Sequence, residues 1–444
     1  MSQHAPSNSR YAPVHESIPT KSSVVRFLPE EGDNWGPVSH NVIRFRIRGQ
    51  KFIDFEKSYI ECTLVNNAGA LNQLSPDSGV PFIQRLVVRQ AGRELNRIDH
   101  YGRYFAARMG GTLSPSEYRA FSSGCCGGSD ATDGMYDVPI FGQIDALATS
   151  IPAAGTRRYS FPLWGCAVFE SGKLFPTPLM GHEWLEIELT LAPGFSVGVS
   201  AINGAAPIDV DYSIVNPAVV CQCVELDPGY VEMLRTAMHD HGSLSFHGAS
   251  VEGFTAQVGV ADQHVLRVPT NKKNVRGVLT TCAANGYLND RTSWPTSCAQ
   301  DLLTAWQWKC ASEVYPAIAH TYDENNNYSH LAAEARKFWE KNEDNGRPRT
   351  CFSRHSIVAA APFYAAGDVA AFLNHPIPMA HYCHRFSAFG GESELATAGL
   401  NTGENGVVLE LMATTILDNT RIFNHVEYEQ RLFLRSDGFL EERS

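Results

Sequence analysis

Apolar and polar residues alternate with a period of two along much of the first half of the chain. Residues 42–47 read Val-Ile-Arg-Phe-Arg-Ile, and residues 60–65 carry Ile, Cys, Leu and Val among polar residues. Such alternation predicts strands that bury one face. Residues 82–88 form a third apolar run, and a hairpin predicted around Gly92 leads into an extended segment at 94–98.

Helical spacing interrupts this pattern at two places. The first is residues 99–108, where apolar positions recur at helical intervals until two glycines stop them: Tyr101, Tyr104, Phe105 and Met109. The second is residues 227–241, because Asp227 can cap the free amides of a helix start and Pro228 is tolerated in the first turn. We predict a short helix at each place, the second one linking two halves of the chain.

Strand patterns fill the rest of both halves. They lie at 158–164, 183–191 and 212–226 in the first half, and at 250–258, 264–268, 275–282, 406–412 and 426–435 in the second. A length of 444 residues also suits two domains. We therefore predict an all-β chain with a first domain at 23–226 and a second at 242–437, joined by the helix at 227–241. A polar N-terminal arm (1–22) and a charged C-terminal tail (438–444) flank these domains.

Two stretches lack the period of a strand. Residues 122–133 hold Gly, Ser, Asp and two adjacent cysteines, which predicts an exposed loop. Residues 283–354 are rich in Asn, Ser, Trp and Tyr. Within them 329–341 is helix-like, with an apolar face made of Leu331, Ala335, Phe338 and Trp339. We predict that 283–354 is a long insertion in the second domain, which projects outward as a tower and carries contacts.

Composition narrows the classes of function. Charged residues make up 19% of the chain, below the roughly 25% of an average soluble protein, which suggests that partners bury much of the surface. The formal net charge is −11 and Lys and Arg occur singly, so direct nucleic-acid binding is disfavoured. Phosphate-loop, His-Glu-x-x-His and Gly-x-Ser-x-Gly motifs are missing, so we expect neither an enzyme nor a cofactor.

The sequence also bears on the cellular compartment. No run of about 18 apolar residues occurs, and the first twenty or so residues contain no apolar leader, so we expect neither a membrane span nor secretion. The 11 cysteines are an odd number with uneven spacing. They are therefore interpreted as reduced thiols of a cytosol or nucleus.

Six segments carry a resemblance to a known family. They are 52–60 (Phe-Ile-Asp-Phe-Glu-Lys-Ser-Tyr-Ile), 81–88 (Pro-Phe-Ile-Gln-Arg-Leu-Val-Val), 92–98 (Gly-Arg-Glu-Leu-Asn-Arg-Ile) leading to Tyr101, 178–181 (Pro-Leu-Met-Gly), 224–230 (Val-Glu-Leu-Asp-Pro-Gly-Tyr) and 427–438 (Glu-Tyr-Glu-Gln-Arg-Leu-Phe-Leu-Arg-Ser-Asp-Gly). In order and spacing they resemble the double jelly-roll major capsid proteins of tailless icosahedral double-stranded DNA viruses. Those of polinton-like viruses and virophages are the most similar.

The resemblance implies two tandem eight-stranded jelly-roll sandwiches with short connecting helices, working by self-assembly. It implies homotrimers that act as pseudo-hexamers and tile an icosahedral shell. Neighbouring capsomers, penton proteins and minor capsid or cement proteins would be the partners. The protein would reside in the virion after assembly in the host cytoplasm or nucleus, with the N-terminal arm reaching a neighbour or the inner surface of the shell.

Three groups of residues could bind a metal ion or react as thiols, but for each of them we favour a purely structural or passive role. Cys221 and Cys223 point to one face of a predicted strand, as metal ligands or, more simply, as core residues. Residues 381–384 (His-Tyr-Cys-His) match no standard zinc spacing, so a structural role is favoured. Cys125 and Cys126 could crosslink particles, but a passive loop is the simpler interpretation.

Two alternatives to a capsid role stay open. Six aromatic residues could form a sugar-binding platform, as in a carbohydrate-binding β-sandwich module, although packing inside the insertion is favoured: Trp294, Trp306, Trp308, Tyr315, Tyr322 and Trp339. His239 and His241 resemble the metal-binding pair of cupins, which are jelly-roll enzymes, but the glutamate expected shortly afterwards is absent. A cupin-like metalloenzyme is the less favoured alternative.

Overall fold

The structure is a computed structural model, and it describes residues 20–67, 75–76, 79–112, 151, 154–193, 198–199, 211–259, 263–284, 303–321, 334, 337–339, 382–386, 399–403, 408–415 and 420–442. Its strands are β1 (Thr20–Phe27), β2 (Asn34–Trp35), β3 (Val42–Ile47), β4 (Phe52–Asn66), β5 (Ser75–Pro76), β6 (Ile83–Gln90), β7 (Arg93–Asp99), β8 (Thr156–Pro162), β9 (Leu185–Leu191), β10 (Gly198–Val199), β11 (Tyr212–Leu226), β12 (Ser243–Gln257), β13 (Gln263–Val268), β14 (Val275–Ala284), β15 (Leu303–Cys310), β16 (Glu313–Thr321), β17 (Tyr382–Arg385), β18 (Leu409–Thr415), β19 (Thr420–Arg435) and β20 (Leu440–Glu442). Its helices are α1 (Tyr101–Thr112), α2 (Ala167–Glu170) and α3 (Pro228–His241), with a 3-10 turn at Thr177–Leu179.

Two antiparallel sheets form a first barrel. Their strand orders are β1-β11-β4-β8 and β3-β9-β6-β7, with β2 added beside β11. If the eight long strands are numbered in chain order within this barrel, the sheets read 1-8-3-6 and 2-7-4-5. This nested pairing arises when one long hairpin wraps around itself, which is the jelly roll.

The second barrel repeats that order. Its sheets are β12-β19-β14-β17 and β13-β18-β15-β16, which again read 1-8-3-6 and 2-7-4-5. The predicted fold of two tandem eight-stranded jelly rolls is therefore confirmed. No described helix is long and apolar enough to cross a membrane.

Alternation of residues explains why these strands bury one face. In β3, Ile43, Phe45 and Ile47 are buried while Arg44 and Arg46 are exposed, as the period of two predicts. Side chains from both sheets of the first barrel meet in one apolar cluster. The interior of the second barrel forms a separate cluster.

Both predicted helices are present. The four apolar residues of α1 that share helical spacing are all buried, so this helix packs as an integral part of the core. At the start of α3 the Asp227 side chain accepts a hydrogen bond from the Gly229 amide at 2.9 Å. Gly242 ends that helix at a φ of 77°, a left-handed conformation that glycine adopts without strain.

The predicted insertion at 283–354 is wrong for residues 303–321. These residues form β15 and β16, and Trp306 and Trp308 of β15 are buried in the second barrel's core. The sequence Trp306-Gln307-Trp308-Lys309 has the period of a strand, and aromatic residues favour strands. Residues 283 and 284 are likewise strand residues, since β14 ends at Ala284. Apart from these, Glu334 and residues 337–339, the rest of the predicted insertion lies outside the described residues, as does the predicted loop at 122–133.

Both predicted terminal segments also need correction. The C-terminal tail at 438–444 contains β20, which pairs with β19 and buries Leu440. The N-terminal arm was predicted to extend to residue 22, but β1 begins at Thr20 and pairs with β11. The partner strand of β1 lies far away in the sequence, so the chain near Thr20 could not be distinguished from a solvated end. Strand β20 pairs with the nearby β19, but its three residues are too few to show the period of a strand.

Candidate functional site: the junction between the two barrels

The junction joins one edge of the first barrel to the outer face of a sheet in the second. Strand β7 and helix α2 of the first barrel contact β12, and α2 also contacts β19. Two glycines of β12 permit this close approach. A Cβ atom on Gly253 would lie 2.5 Å from the Asp99 carbonyl oxygen, and one on Gly248 would lie 3.1 Å from Cα of Ala167. The two backbones thus meet where larger residues could not fit.

A buried polar chain fixes the register of this contact. The Ser250 hydroxyl accepts a hydrogen bond from the Ala167 amide at 2.8 Å and donates to Oε1 of Gln430 at 2.7 Å. Nε2 of Gln430 then donates to the Leu95 carbonyl at 2.7 Å. A buried polar group without a hydrogen-bond partner lowers the stability of the fold. Sliding one barrel over the other would break all of these hydrogen bonds at once.

The C-terminal residues close the junction. We call 437–442 the C-terminal clasp. Gln90 of the first barrel is only 2% exposed, and its Nε2 donates to the Gly438 carbonyl at 2.8 Å, although the two residues are 348 positions apart. Its Oε1 accepts from the Leu440 amide at 2.5 Å. Gly438 has a φ of 86°, and a Cβ there would lie 2.4 Å from the Met180 carbonyl oxygen, so glycine is required.

An ion cluster anchors the clasp to the second barrel. Nζ of Lys272 lies 3.0 Å from carboxylate oxygens of both Glu252 and Glu442. The same Nζ lies 4.4 Å from the centre of the Tyr428 ring. The clasp therefore bonds to a buried amide of one barrel and to a half-buried cation of the other.

Two histidines lie where α1 meets β19; His425 is buried and His100 is partly buried. Nε2 of His425 lies 3.3 Å from the Asp99 carbonyl oxygen, and its ring centre lies 5.5 Å from that of Tyr104. The His100 ring lies edge-on to Phe423 at 4.7 Å. Burial lowers the pKa of His100 to about 4 and that of His425 to about 3. Both rings are therefore neutral at neutral pH.

A partly buried ion pair holds the two first-barrel helices together. Nη1 and Nη2 of Arg108 in α1 lie 2.5 Å and 2.9 Å from the two carboxylate oxygens of Glu170 in α2. The guanidinium also stacks over the Trp164 ring at 4.8 Å. The Glu170 carboxylate accepts a further hydrogen bond from the Gly165 amide at 2.5 Å. Removing either partner would leave a buried charge uncompensated.

The predicted cysteine and histidine groups do not form a metal site in the described residues. Cys221 and Cys223 are buried in the first barrel's core, and burial raises the pKa of Cys221 to about 12. His239 and His241 lie in the last turn of α3, where both are exposed. Within the described part of the chain, no group of three or more His, Cys, Asp or Glu residues could hold a metal ion. Cys125 and Cys126 lie outside it.

The side chains of Cys383 and His384, within the predicted group at 381–384, lie in different environments. His381 lies outside the described residues, and Cys383 is buried in the apolar cluster of the junction. Nδ1 of His384 lies 3.0 Å from the Glu334 carboxylate, which also pairs with Lys337 at 2.6 Å. Burial raises the pKa of Glu334, but the hydrogen bonds from these two partners lower it to about 2. The hydrogen bond joins Glu334, a helical residue, to strand β17.

Among the four aromatic residues of this group that the structure describes, none contributes to an exposed platform of the kind that a sugar-binding site needs. Trp306 and Trp308 are packed, as favoured, but in the core of the second barrel and not inside an insertion. Trp339 is buried beside Gly111 of α1, and the Tyr315 ring packs edge-on to Phe386 at 5.4 Å. Trp294 and Tyr322 lie outside the described residues. What sequence reasoning missed was the junction itself, because Gln90, Ser250 and Gln430 carry no local motif.

Comparison with known proteins adds a likeness of fold. No family model and no curated protein matches the sequence. VP54 of the virus PBCV-1, fitted into a reconstruction of the virophage Sputnik, matches with a TM-score of 0.62 and 9% identity over 98% of each chain. The Faustovirus major capsid protein matches with a TM-score of 0.53 and 9% identity, over 97% of this chain and 92% of its own. The mavirus major capsid protein matches with a TM-score of 0.52 and 12% identity, over 100% of this chain and 95% of its own. The chain therefore has the double jelly-roll fold found in these two viral major capsid proteins.

Proposed function

We propose that the chain is the major capsid protein of a tailless icosahedral double-stranded DNA virus of the polinton-like or virophage type. One observation carries the proposal: two barrels of identical strand order are fixed together by a buried and hydrogen-bonded junction. The structural matches support it, since they extend over almost the whole length of capsid proteins from Faustovirus and mavirus.

The proposed mechanism is assembly rather than catalysis. Three copies of a two-barrel chain supply six similar barrels, so a threefold capsomer can occupy a sixfold position of an icosahedral lattice. The junction serves this purpose because a flexible hinge would let the two barrels adopt varying relative positions. The capsomer would then have no defined shape. Such homotrimers would contact neighbouring capsomers, penton proteins and minor capsid or cement proteins in the virion, after assembly in the host cytoplasm or nucleus.

The domain division follows from the same proposal. The first jelly roll runs from β1 to β11, and the second runs from β12 to β19 with β20 added at its edge. The bounds at 226 and 242 lie on either side of α3, which acts as the linker. Residues 1–19 would form the N-terminal arm.

Sedimentation velocity on the purified full chain tests the proposal. We expect a stable species of three times the chain mass at micromolar concentration, and hexagonal particles in negative-stain images of the same fraction. A chain that sediments as a monomer at every concentration tested would contradict a capsid role. A monomer that also binds glycans would favour the carbohydrate-binding alternative.

A further inference from the structure

The junction between the barrels brings together one histidine from each of them. His100 lies between β7 and α1 of the first barrel, and His425 lies on β19 of the second. The His100 ring packs edge-on against Phe423 of the second barrel, with ring centres 4.7 Å apart. Nε2 of His425 lies 3.3 Å from the Asp99 carbonyl oxygen of the first barrel. Each imidazole therefore contacts the opposite barrel.

A proton added to His425 would be poorly accommodated. Its Nε2 donates to the Asp99 carbonyl, so Nδ1 is the nitrogen that accepts a proton. Nδ1 is buried and has no hydrogen-bond partner among the described residues. Protonation would thus create a buried N–H group without an acceptor, which lowers the stability of the closed junction.

The charges around the two histidines also oppose protonation. Three guanidinium groups act against a charge on His100, and they come from three elements: Arg103 of α1, Arg85 of β6 and Arg421 of β19. Arg103 lies 4.3 Å from the centre of the same Phe423 ring that His100 contacts. A charge on one histidine further disfavours a charge on the other.

The acidic and phenolic groups at this place do not offset these charges. The Asp99 carboxylate favours protonation of both histidines, but it also forms ion pairs with Arg85 and Arg97. Tyr104 of α1 stays neutral, because burial raises the pKa of its phenol. By contrast, His384 has a carboxylate of its own, that of Glu334 at 3.0 Å.

The backbone of His100 adds an independent observation. Its φ is 55°, in the left-handed region that residues other than glycine rarely adopt. Its carbonyl accepts hydrogen bonds from the amides of Arg103 and Tyr104, where α1 begins. Such strain persists only where the surrounding structure holds it, and it is typical of functional sites and switch regions. Opening the junction would remove the contact of the His100 ring with Phe423.

We propose that His100 and His425 form an acid-operated latch, which releases the second barrel from the first when both rings take up protons and before either interior unfolds. The inference goes beyond the proposed function, because it concerns the two barrels of one chain and holds whether or not copies assemble. At neutral pH the junction shares the apolar core of the first barrel, whereas acid places charge on the contact between barrels. Helix α3 would keep the released barrels joined.

The direction of the effect follows from proton uptake. Burial lowers the pKa of His100 to about 4 and that of His425 to about 3 in the closed junction, whereas solvent exposure returns both toward 6.5. The open junction therefore binds more protons below pH 6.5, and the ratio of open to closed molecules rises as the pH falls. Between pH 7 and pH 5 the rise should be roughly 20-fold for one released histidine and up to roughly 500-fold for both.

Hydrogen exchange of the full chain at pH 7, 6 and 5, corrected for the intrinsic effect of pH on exchange, tests the inference. Two amides report on the junction, since that of Ala167 donates to the Ser250 hydroxyl and that of Val251 donates to the Gly165 carbonyl. The amides of β18, which lies between β13 and β15, report on the second interior. We expect protection of the junction amides to fall by up to roughly 500-fold between pH 7 and pH 5 while the β18 amides stay protected.

Variants assign the effect to the two histidines. His100→Asn with His425→Gln removes both titrating groups, because asparagine tolerates a positive φ and glutamine can still donate to the Asp99 carbonyl. The double variant should lose protection by no more than about 3-fold over the same range, and each single variant by roughly 20-fold. His247→Gln is the matched control, since His247 is exposed on β12, and it should behave like the wild type.

Three results would overturn the inference. The first is a wild type whose junction amides are equally protected at pH 7 and pH 5. The second is a loss of protection at the β18 amides in step with the junction amides, which would indicate unfolding of the second barrel instead of release. The third is a double variant that loses protection as steeply as the wild type. If the double variant is unstable at pH 7, the comparison of junction and β18 amides in the wild type and in His425→Gln alone decides.

Discussion

The two barrels share one strand order but differ in how their interiors connect. The first barrel's core continues into the junction, since Val251 and Leu279 of the second barrel belong to the same apolar cluster as Phe45. The second barrel's interior is a separate cluster around Trp306 and Trp308. Two barrels of the same topology can therefore belong to regions of the protein that unfold independently. We expect the junction to unfold with the first barrel and the second interior to unfold on its own.

The largest expected effect on stability comes from removing a large side chain from the core of the second barrel. Trp308→Ala should destabilise the second barrel by about 3–5 kcal/mol, because it removes a fully buried indole and leaves a cavity. Urea unfolding with limited proteolysis would locate the loss. Ile318→Ala, at an exposed site on the adjacent strand, is the control and should cost less than about 0.5 kcal/mol. Equal protease sensitivity of both barrels in Trp308→Ala would argue against two separate units.

The next largest effect on stability comes from adding a side chain where the two backbones of the junction lie close together. Gly253→Ala places a methyl group 2.5 Å from the Asp99 carbonyl oxygen, so the two barrels must separate locally. We expect a loss of about 1–3 kcal/mol, measured by thermal unfolding. Gly259→Ala is the control, because a Cβ there meets nothing within 4 Å. If both variants unfold at the same temperature, the close backbone contact contributes nothing.

A comparable or smaller effect is expected from the C-terminal clasp. Gln90→Leu removes both hydrogen bonds to residues 438 and 440 and leaves two backbone groups buried without them. The expected loss is about 1–3 kcal/mol, with faster amide exchange confined at first to 437–442. Gln263→Leu, on an exposed position of β13, should change neither quantity. Unchanged exchange in Gln90→Leu would show that the clasp is held by other contacts.

Near neutral pH, the smallest expected effect is a dependence on pH itself, which grows as the solution becomes more acidic. In the unfolded chain His100 and His425 take up protons near pH 6.5, whereas in the fold they do so only near pH 4 and pH 3. The unfolded state therefore binds more protons below pH 6.5, and stability should fall as the pH drops from there, by at most about 1.4 kcal/mol per pH unit for each histidine. Above pH 6.5 these groups should have no effect.

His425→Gln sharpens this prediction. The glutamine amide can still donate a hydrogen bond to the Asp99 carbonyl, but it does not titrate. Stability measured by chemical unfolding at pH 7.5 and pH 5 should therefore fall less steeply in the variant than in the wild type. Parallel losses in the two proteins would place the acid sensitivity elsewhere.

Patterns in the sequence predict an element of the fold well when that element depends on interactions between neighbouring residues. The alternation at Val42–Ile47 and the cap at Asp227 each depend on neighbouring residues, and both elements are present. The period of Trp306 and Trp308 was equally local, but a composition rich in aromatic and polar residues led to the wrong prediction of an insertion. A sequence window of ten residues centred on β15 would have shown the alternation.

The junction could not be predicted in this way. Gln90 bonds to a residue 348 positions away, and Gln430 bonds to one 335 positions away. Nothing in the neighbourhood of either glutamine distinguishes it from a solvated side chain, because burial of a polar group depends on a partner that only the tertiary fold supplies. The resemblance of segment order indicated two barrels, but not which residues hold them together.

Cryo-electron microscopy of the purified oligomer tests the central claim most directly. We expect a threefold particle with six barrel-shaped densities. A particle without threefold symmetry would contradict the proposed homotrimer. A particle in which the two barrels of a chain lie apart would contradict the rigid two-barrel block on which the proposed shell depends.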